Sequence, residues 1–408
     1  MAFLYSLVRV VVKKFGGKLL QNTERIKQVA ETVVQDKRSG QEIVCVVSAM
    51  GDTTNQLFNL ARQITPTPPI RELDMLLTAG ERISISLLSM AIHSLGFDAI
   101  SFTGSQSGII TDPHHTRARI VRVTPVRIRD ELAKGKIVVV AGFQGVSENR
   151  EITTLGRGGS DITAVALSKS LGSNECELYK EVGGIYSVDP HLVHDSKKIE
   201  RISYTEMVEL AALGAGVVHP RAVEIAERNK IVIRVRSLNG EVGTVIEEQQ
   251  AIEKPSVKGM AVDEKIAMVT LLGVSRTSGF LEQIISILAE HNIPVRFFFH
   301  GAGDEACDLS FIISEDDCDC ALSLIENLSK RLTIKQIICR KDVGQLSVIG
   351  SGIGSDSHIL STVFSVLSKD HVHIDAVYTS EVRIALVMKR EQTDLAVRSL
   401  ATTFGLKK

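Results

Sequence analysis

An excess of charge is the first thing this sequence lacks: 47 Lys and Arg face 48 Asp and Glu, for a formal net charge of -1, and the basic residues are scattered. Nothing in that balance has the basic footprint of a nucleic-acid binder, so small molecules are the expected partners. Long apolar runs are missing too, since none approaches the roughly 20 residues that span a bilayer. The opening stretch MAFLYSLVRVVVKKFGG has neither a charged n-region nor a small-residue cleavage site. Its apolar residues are expected in a first strand, and the protein in the cytoplasm with no membrane partner. The 6 cysteines, at 45, 176, 307, 318, 320 and 339, include no C-x-x-C pair, and no histidines stand at zinc-like spacing. They read as reduced thiols, with no metal site of their own. Neither a Walker loop nor a G-x-G-x-x-G spacing is present, which removes the standard nucleotide fingerprints.

What is present is core-forming material: 408 residues, 44% hydrophobic and 23% charged, enough for two or three domains. The first half alternates β-branched runs with helical patterns. Val8–Val12, Ile43–Ser48, Ala99–Phe102, Ile137–Ala141, Glu177–Tyr179 and Ile231–Val235 read as strands, most without polar alternation. Strands buried on both faces imply a parallel sheet covered by helices on each side. Thr23–Val34 and Gly80–Leu95 carry helical spacing, and TPTPP at 65–69 is a loop. Residues 240–258 turn polar and read as a boundary. Beyond it one pattern occurs twice, from IAMVTLLGV and again from QLSVIGSGI, giving two βαββα units expected to pack as a pair.

Four donor-rich turns follow strands or open helices in the first half: VVKKFGGK, VVSAMGDTTNQL, LLTAGERIS and TTLGRGGSD. Glycines let a backbone approach a ligand, and free amides at a helix start attract anions. Arg157 adds a fork for a carboxylate or phosphate, and a lysine at a glycine turn supplies charge for phosphoryl transfer. Asp161 stands where a helix N-cap or a ligand-orienting acid would stand. In open parallel sheets ligands bind at the carboxyl ends of strands, so the four turns are expected to converge on one cleft.

Taken in order, KFGG, VVSAMGDTT, RELDMLLTAGERIS, SFTGSQSGIITD, VVVAGFQGV, TTLGRGGSD, ISYTEMVELAALGAGVVHPRAVE and YTSEVRIALVM resemble the aspartate kinases of the amino-acid kinase family, from about Val11 to Leu406. The resemblance implies an α/β protein with a three-layer αβα sandwich at 8–245, a linker at 246–262, and ferredoxin-like βαββα ACT units at 263–338 and 343–408. It implies ATP-dependent phosphorylation of the L-aspartate side-chain carboxylate, with Mg²⁺ accompanying the nucleotide. By motif, Lys14 and Asp161 would be catalytic, Lys14 at the γ-phosphoryl group and Asp161 arranging phosphates or metal. Ser48, Thr54, Glu81, Arg157, Gly158, Gly159 and Ser160 would hold aspartate, with Glu81 facing its ammonium. Lys14, Phe15, Gly16, Gly17, Lys180, Glu181, Tyr186, Ser187, Asp189, Pro190 and His191 would line the ATP side. Ser275, Val295, Thr379, Ser380 and Glu381 would bind an amino-acid effector, lysine or threonine, at ACT units that pair chains into a homo-oligomer.

The chain departs from that family pattern at Lys18, Lys180, Glu181, Gly183, His191 and Gly216, mostly on the nucleotide side. Lys18 and Lys180 can restore the positive charge lost at Gly216 and His191 in an active kinase. The alternative is an amino-acid-binding regulatory protein that has lost turnover. A kinase acting on glutamate or acetylglutamate explains the core but not the repeated C-terminal units. Of the remaining features, His114 and His115 are expected in an exposed polar loop, and Phe297–Phe299 in core or at an ACT–ACT contact.

Overall fold

Runs of Val, Ile and Cys without polar alternation can stay dry only in a sheet covered on both faces. The computed structural model, which describes residues 10–213, 217–239, 243–248, 255–275, 277–301, 306–329 and 332–408, builds such a sheet in the first of two units. That unit comprises Met1–Tyr186 and Lys198–Gln250. Its elements are β1 (Val10–Phe15), α1 (Thr23–Arg38), β2 (Glu42–Val47), α2 (Thr53–Ile64), α3 (Ile70–Leu77), α4 (Ala79–Ser94) and β3 (Ala99–Phe102). There follow β4 (Ile109–Thr111), β5 (Ile120–Val123), α5 (Val126–Ala133), β6 (Ile137–Ala141), β7 (Gln144–Ser147), β8 (Ile152–Thr154), α6 (Gly159–Leu171) and β9 (Glu175–Tyr179). The unit closes with β10 (Ile185–Tyr186), β11 (Lys198–Ile199), β12 (Arg201–Ile202), α7 (Tyr204–Ala212), α8 (Pro220–Asn229), β13 (Val232–Arg236) and β14 (Thr244–Ile246).

The main sheet has 8 strands in the order β12-β14-β13-β9-β1-β2-β6-β3, and the six from β13 to β3 run parallel. On one face Phe15, Ile43, Cys45, Val47, Val139 and Ala141 pack against Ile26, Val29 and Val33 of α1 and Leu88 and Ile92 of α4. The other face is covered by α6, buried along most of its length, so the unit has the three αβα layers expected. The helical run Ile70–Ser94 is long and apolar enough to cross a membrane by length and composition. Leu73, Leu77, Ile85, Leu88 and Ile92 on it are buried in this unit, and so is the acid Glu81. It is a core element.

The second unit comprises Ser187–Lys197 and Ala251–Lys408. It contains β15 (Ser256–Asp263), β16 (Ile266–Ser275), α9 (Phe280–Glu290), β17 (Arg296–His300), β18 (Ala306–Ser314), α10 (Cys318–Leu328) and β19 (Gln336–Arg340). Then come β20 (Val343–Ser351), α11 (Ser357–Lys369), β21 (Ile374–Ser380), β22 (Arg383–Lys389) and α12 (Thr393–Thr403). The two βαββα repeats form separate four-stranded sheets, β17-β18-β16-β19 and β15-β20-β22-β21. Phe297 of one meets Tyr378 of the other with ring centroids 5.0 Å apart.

Two segments sit differently from expectation. Residues 246–262 read as linker, but Ser256–Asp263 is a strand paired antiparallel with β20, so the first repeat is inserted within the second repeat's sheet. The reason is an alternation diluted by small and charged residues: Val257, Met260 and Val262 all reach the second repeat's core. The other segment is Ser187–Lys197, read as part of the sandwich domain. Val188 and Val193 are buried with Leu346, Val348 and Leu406. The Ser187 hydroxyl donates to the Leu406 carbonyl at 2.6 Å, Met260 N–H donates to the Ser187 carbonyl, and Lys408 N–H to the Asp195 carbonyl at 2.8 Å.

Candidate active site

At the carboxyl ends of β1, β2 and β6 the chain turns through Gly16–Gly17, Ser48–Gly51 and Gly142. Gly51 N–H donates to the Gly17 carbonyl at 2.9 Å, and Ser48 N–H to that of Phe15 at 3.2 Å, so the first two turns are stitched together. A side chain at 17 would come within 2.7 Å of the Ala49 carbonyl, which restricts the position to glycine. The start of α6 brings the fourth turn to the same end. Gly158 is its N-cap in the left-handed region, φ 77°. Asp161 therefore does not cap the helix, and its carboxylate is released for other work.

That carboxylate is a hub. Lys14 Nζ lies 2.7 Å from Oδ1, Lys180 Nζ lies 3.1 and 2.9 Å from Oδ1 and Oδ2, and His219 N–H donates to Oδ2 at 3.2 Å. Burial alone would raise the Asp161 carboxyl, but the two ammoniums outweigh it and hold it well below the usual carboxylate range. Burial and the neighbouring Lys14 pull the Lys180 ammonium down to about 8 against the attraction of Asp161. One strand position away, Lys13 faces the other way, bonded to Asp36 and Glu177 at 2.7 Å each. Burial opposes that charge, yet Glu177 more than compensates and holds the Lys13 ammonium above its ordinary value.

The expected aspartate-side groups lie on four elements of the same unit. Ser48 Oγ and Ser160 Oγ are 2.9 Å apart. Thr54 is half-buried in the first turn of α2, and Arg157 is exposed, its guanidinium donating to Asn55 Oδ1 at 3.2 Å. Glu81 is the unusual member. Its side chain is buried at 2% exposure, Oε1 accepts from Ala49 N–H at 3.1 Å, and Oε2 has no hydrogen-bond partner among the described residues. Burial pushes its carboxyl up to about 8, despite the Ala49 hydrogen bond. An orphaned carboxylate oxygen costs free energy unless a cation is due to arrive.

The expected nucleotide-side residues divide. Lys14, Gly16, Gly17 and Lys180 gather at the hub. The Phe15 side chain is wholly buried, stacked on Tyr179 at 4.9 Å, so only its backbone faces outward work. Glu181 is exposed and forms an ion pair of 3.1 Å with Lys18, two departures from the family pattern that neutralise each other. Tyr186 ends the small hairpin β10–β11. Ser187, Asp189, Pro190 and His191 belong to the second unit, where Asp189 Oδ1 accepts from His191 N–H at 2.9 Å. Gly216 lies outside the described residues. Of the expected effector residues, Ser275 ends β16 and Val295 precedes β17 in the first repeat's sheet. Thr379 and Ser380 end β21 in the other, and the Glu381 carbonyl accepts from Gly354 N–H at 3.5 Å.

Two features escaped the sequence reading. His219 presses on Gly158, where an added Cβ would meet its ring at 2.7 Å, and its backbone serves Asp161. The HPR triplet was in view, but nothing in it points to an acid 58 residues earlier. His115, expected in solvent, has Nδ1 2.8 Å from the wholly buried Asp74, which also accepts from Thr154 and Thr116. The acid inside the apolar helix IRELDMLL was the available signal.

For Mg²⁺ the residues do not make a cage. Both Asp161 oxygens are taken by ammonium and amide donors, and among the described residues no group of three His, Cys, Asp or Glu could hold an ion.

A parallel sheet with glycine turns at its carboxyl ends, paired lysines on a buried acid and an orphaned carboxylate nearby defines a phosphotransferase for a small substrate that carries an ammonium group. Comparison with known proteins narrows the class. Residues 9–237 match the amino acid kinase family and residues 346–404 the ACT domain. The chain is 43% identical over 400 residues to the aspartokinase of Bacillus sp. strain MGA3, covering 97% of each chain. It is 41% identical to aspartokinase 2 of Bacillus subtilis, covering 98% of each. In fold it is similar to E. coli aspartokinase III solved with aspartate and ADP, at a TM-score of 0.82 and 23% identity, over 97% of this chain and 99% of that one. The chain belongs to the aspartokinases of the amino acid kinase family.

Proposed function

We propose that this chain phosphorylates the side-chain carboxylate of L-aspartate with ATP, under feedback control through its ACT units. The orphaned Glu81 oxygen carries the substrate reading: a buried carboxylate with one donor and one vacancy is built to receive an ammonium. Arg157, exposed and among the described residues held by Asn55, takes a substrate carboxylate, with Ser48, Thr54 and the Gly158 and Ser160 amides completing the grip.

The acceptor oxygen is already ionised at neutral pH, so no general base is required. Its lone pair forms the new P–O bond as the bond from the γ-phosphorus to the β,γ-bridging oxygen breaks and ADP leaves. The protein's task is alignment and neutralisation of spread negative charge. Lys14 meets the transferring group, Asp161 fixes Lys14, and the Gly17 amide faces the phosphates. Mg²⁺ would accompany the nucleotide and supply counter-charge to its phosphates, with no dedicated cage from the protein. Occupancy of this chemistry by an active enzyme, rather than a silent paralogue, is supported by the intact Lys14–Asp161 pair and by aspartokinase relatives matched end to end. The reaction feeds synthesis of lysine, threonine and methionine, and the reading places it in the cytoplasm. The effector is lysine or threonine, and chains pair through their ACT units.

The test is ATP turnover against aspartate, glutamate and acetylglutamate, each with and without lysine and threonine, with the acyl phosphate trapped by hydroxylamine. Aspartate alone is expected to give the trapped product. Equal trapping from all three acids refutes the assignment.

A further inference from the structure

We propose that Lys180 is a second phosphate-facing cation of the transfer step, working beside Lys14 with Asp161 as their shared anchor. This rests on the reading of the chain as a kinase that uses ATP.

Two lysines beyond Lys14 lie near the glycine turn, and the structure separates their roles. Lys18 points outward, with its side chain 77% exposed and its charge matched by Glu181. Lys180 points inward, with its side chain 16% exposed and its ammonium on both oxygens of Asp161. Only Lys180 adds positive charge where the β1 and β9 strands end.

The neighbouring buried lysine provides an internal comparison. Lys13 has Asp36 and Glu177 within 2.7 Å, and Arg236 balances Glu177 from 3.3 Å, so two cations face two anions. That cluster is complete. At Asp161 two ammoniums face one carboxylate, and of the other described groups beside them, His219 at the start of α8 and the Cys176 thiol are both kept toward their neutral forms by burial. The cluster carries a surplus positive charge in a dry setting. A surplus buried cation is costly unless an anion completes it, and a structural ion pair would need only one lysine.

The location identifies that anion. Both ammoniums stand where strands β1 and β9 end, beside the turn Gly16–Gly17 whose Gly16 N–H donates to the Tyr179 carbonyl at 3.3 Å, at the carboxyl end of the sheet where ligands bind. A γ-phosphoryl group passing between two oxygens spreads negative charge over three equatorial oxygens, more than one ammonium can cover. Two lysines on a common carboxylate, both touching its Oδ1, are held side by side. Asp161 is thus a positioning residue for both.

The experiment compares Lys180→Met, Lys180→Arg and Lys18→Met for kcat, for KM of each substrate, and for thermal midpoint. Loss of one preorganised donor to a developing charge costs roughly 10² to 10³ in kcat. Lys180→Met is expected to fall by that factor with KM for aspartate within about threefold, Lys180→Arg to recover most of the loss, and Lys18→Met to match wild type. A Lys180→Met enzyme with kcat within about threefold of wild type overturns the proposal. If wild type fails to phosphorylate aspartate, the functional reading falls, and calorimetric binding of ATP and ADP then decides the inference alone. Weakening of ATP over ADP by about tenfold or more in Lys180→Met supports it, and an unchanged ratio overturns it.

Discussion

Replacing Glu81 with Gln tests the substrate side of the site through its dependence on pH. The wild-type carboxyl is lifted from an ordinary 4.5 to about 8 because burial disfavours its charge. At about 1.4 kcal/mol per pKa unit, that lift amounts to something of order 5 kcal/mol of unfavourable charge burial at high pH. The sign follows from proton counts. Between pH 4.5 and 8 the folded protein holds a proton on Glu81 that the unfolded chain has lost, so stability falls as pH rises through this window. An arriving ammonium reverses the preference and expels the proton. Apparent affinity for aspartate must then drop as pH is lowered below about 8, by up to roughly tenfold per pH unit. Glu81→Gln keeps the shape and the Ala49 hydrogen bond and removes the titration. The assay is KM for aspartate, and thermal midpoint without substrate, from pH 6 to 9. The variant should show a raised KM that is flat with pH, and a thermal midpoint above wild type at pH 9 that converges toward it at pH 6. A Gln variant that keeps both the wild-type KM and its pH slope would refute the ammonium role.

Arg157→Ala should raise KM for aspartate by roughly 10- to 100-fold with little change in thermal midpoint, because an exposed side chain whose described partner is Asn55 contributes to binding more than to folding. Steady-state kinetics beside a melt checks this. Gly158→Ala should destabilise by about 1–3 kcal/mol and depress kcat, since it needs positive φ and an added Cβ meets His219 at 2.7 Å. Denaturant unfolding measures the first, and wild-type stability would show that the turn can rearrange. Lys18→Ala should shift stability by no more than about 0.5 kcal/mol, as expected for an exposed pair, and a larger loss by the same measurement would assign the Glu181 contact a structural role.

Periodicity alone was enough to place most of the sandwich. Ala99–Phe102 and Ile137–Ala141 are strands to the residue, and the others differ by a few positions at their ends, where fraying and pairing, not composition, set the limits. The strand expected at Val8–Val12 is described from Val10 and runs to Phe15, because Lys13 and Lys14 are buried cations whose partners lie on distant elements. No local pattern could predict a buried lysine in a strand. The same holds at the site. Which turns carry donors was legible, and so was the family they resemble. The sharing of Asp161 between Lys14 and Lys180 was not, since it depends on the side-by-side placement of β1 and β9, residues apart in sequence by more than 160 positions. The inserted strand β15 was missed because glycine and lysine dilute its alternation, and only the neighbouring β20 makes its apolar residues worth burying.

The eleven-residue excursion Ser187–Lys197 bears on how such a gene can be divided. A fragment beginning at Ala251 would contain both ACT sheets yet lack Val188 and Val193, and so leave gaps beside Leu346, Val348 and Leu406. Leu406 and Lys408 would lose the Ser187 and Asp195 groups that tie them down. During synthesis, the excursion leaves the ribosome some two hundred residues before Leu406, its hydrogen-bond partner at a separation of 219. In this chain the second unit is therefore completed by a segment made early and a partner made late: its core closes only once Leu406 has joined Val188 and Val193.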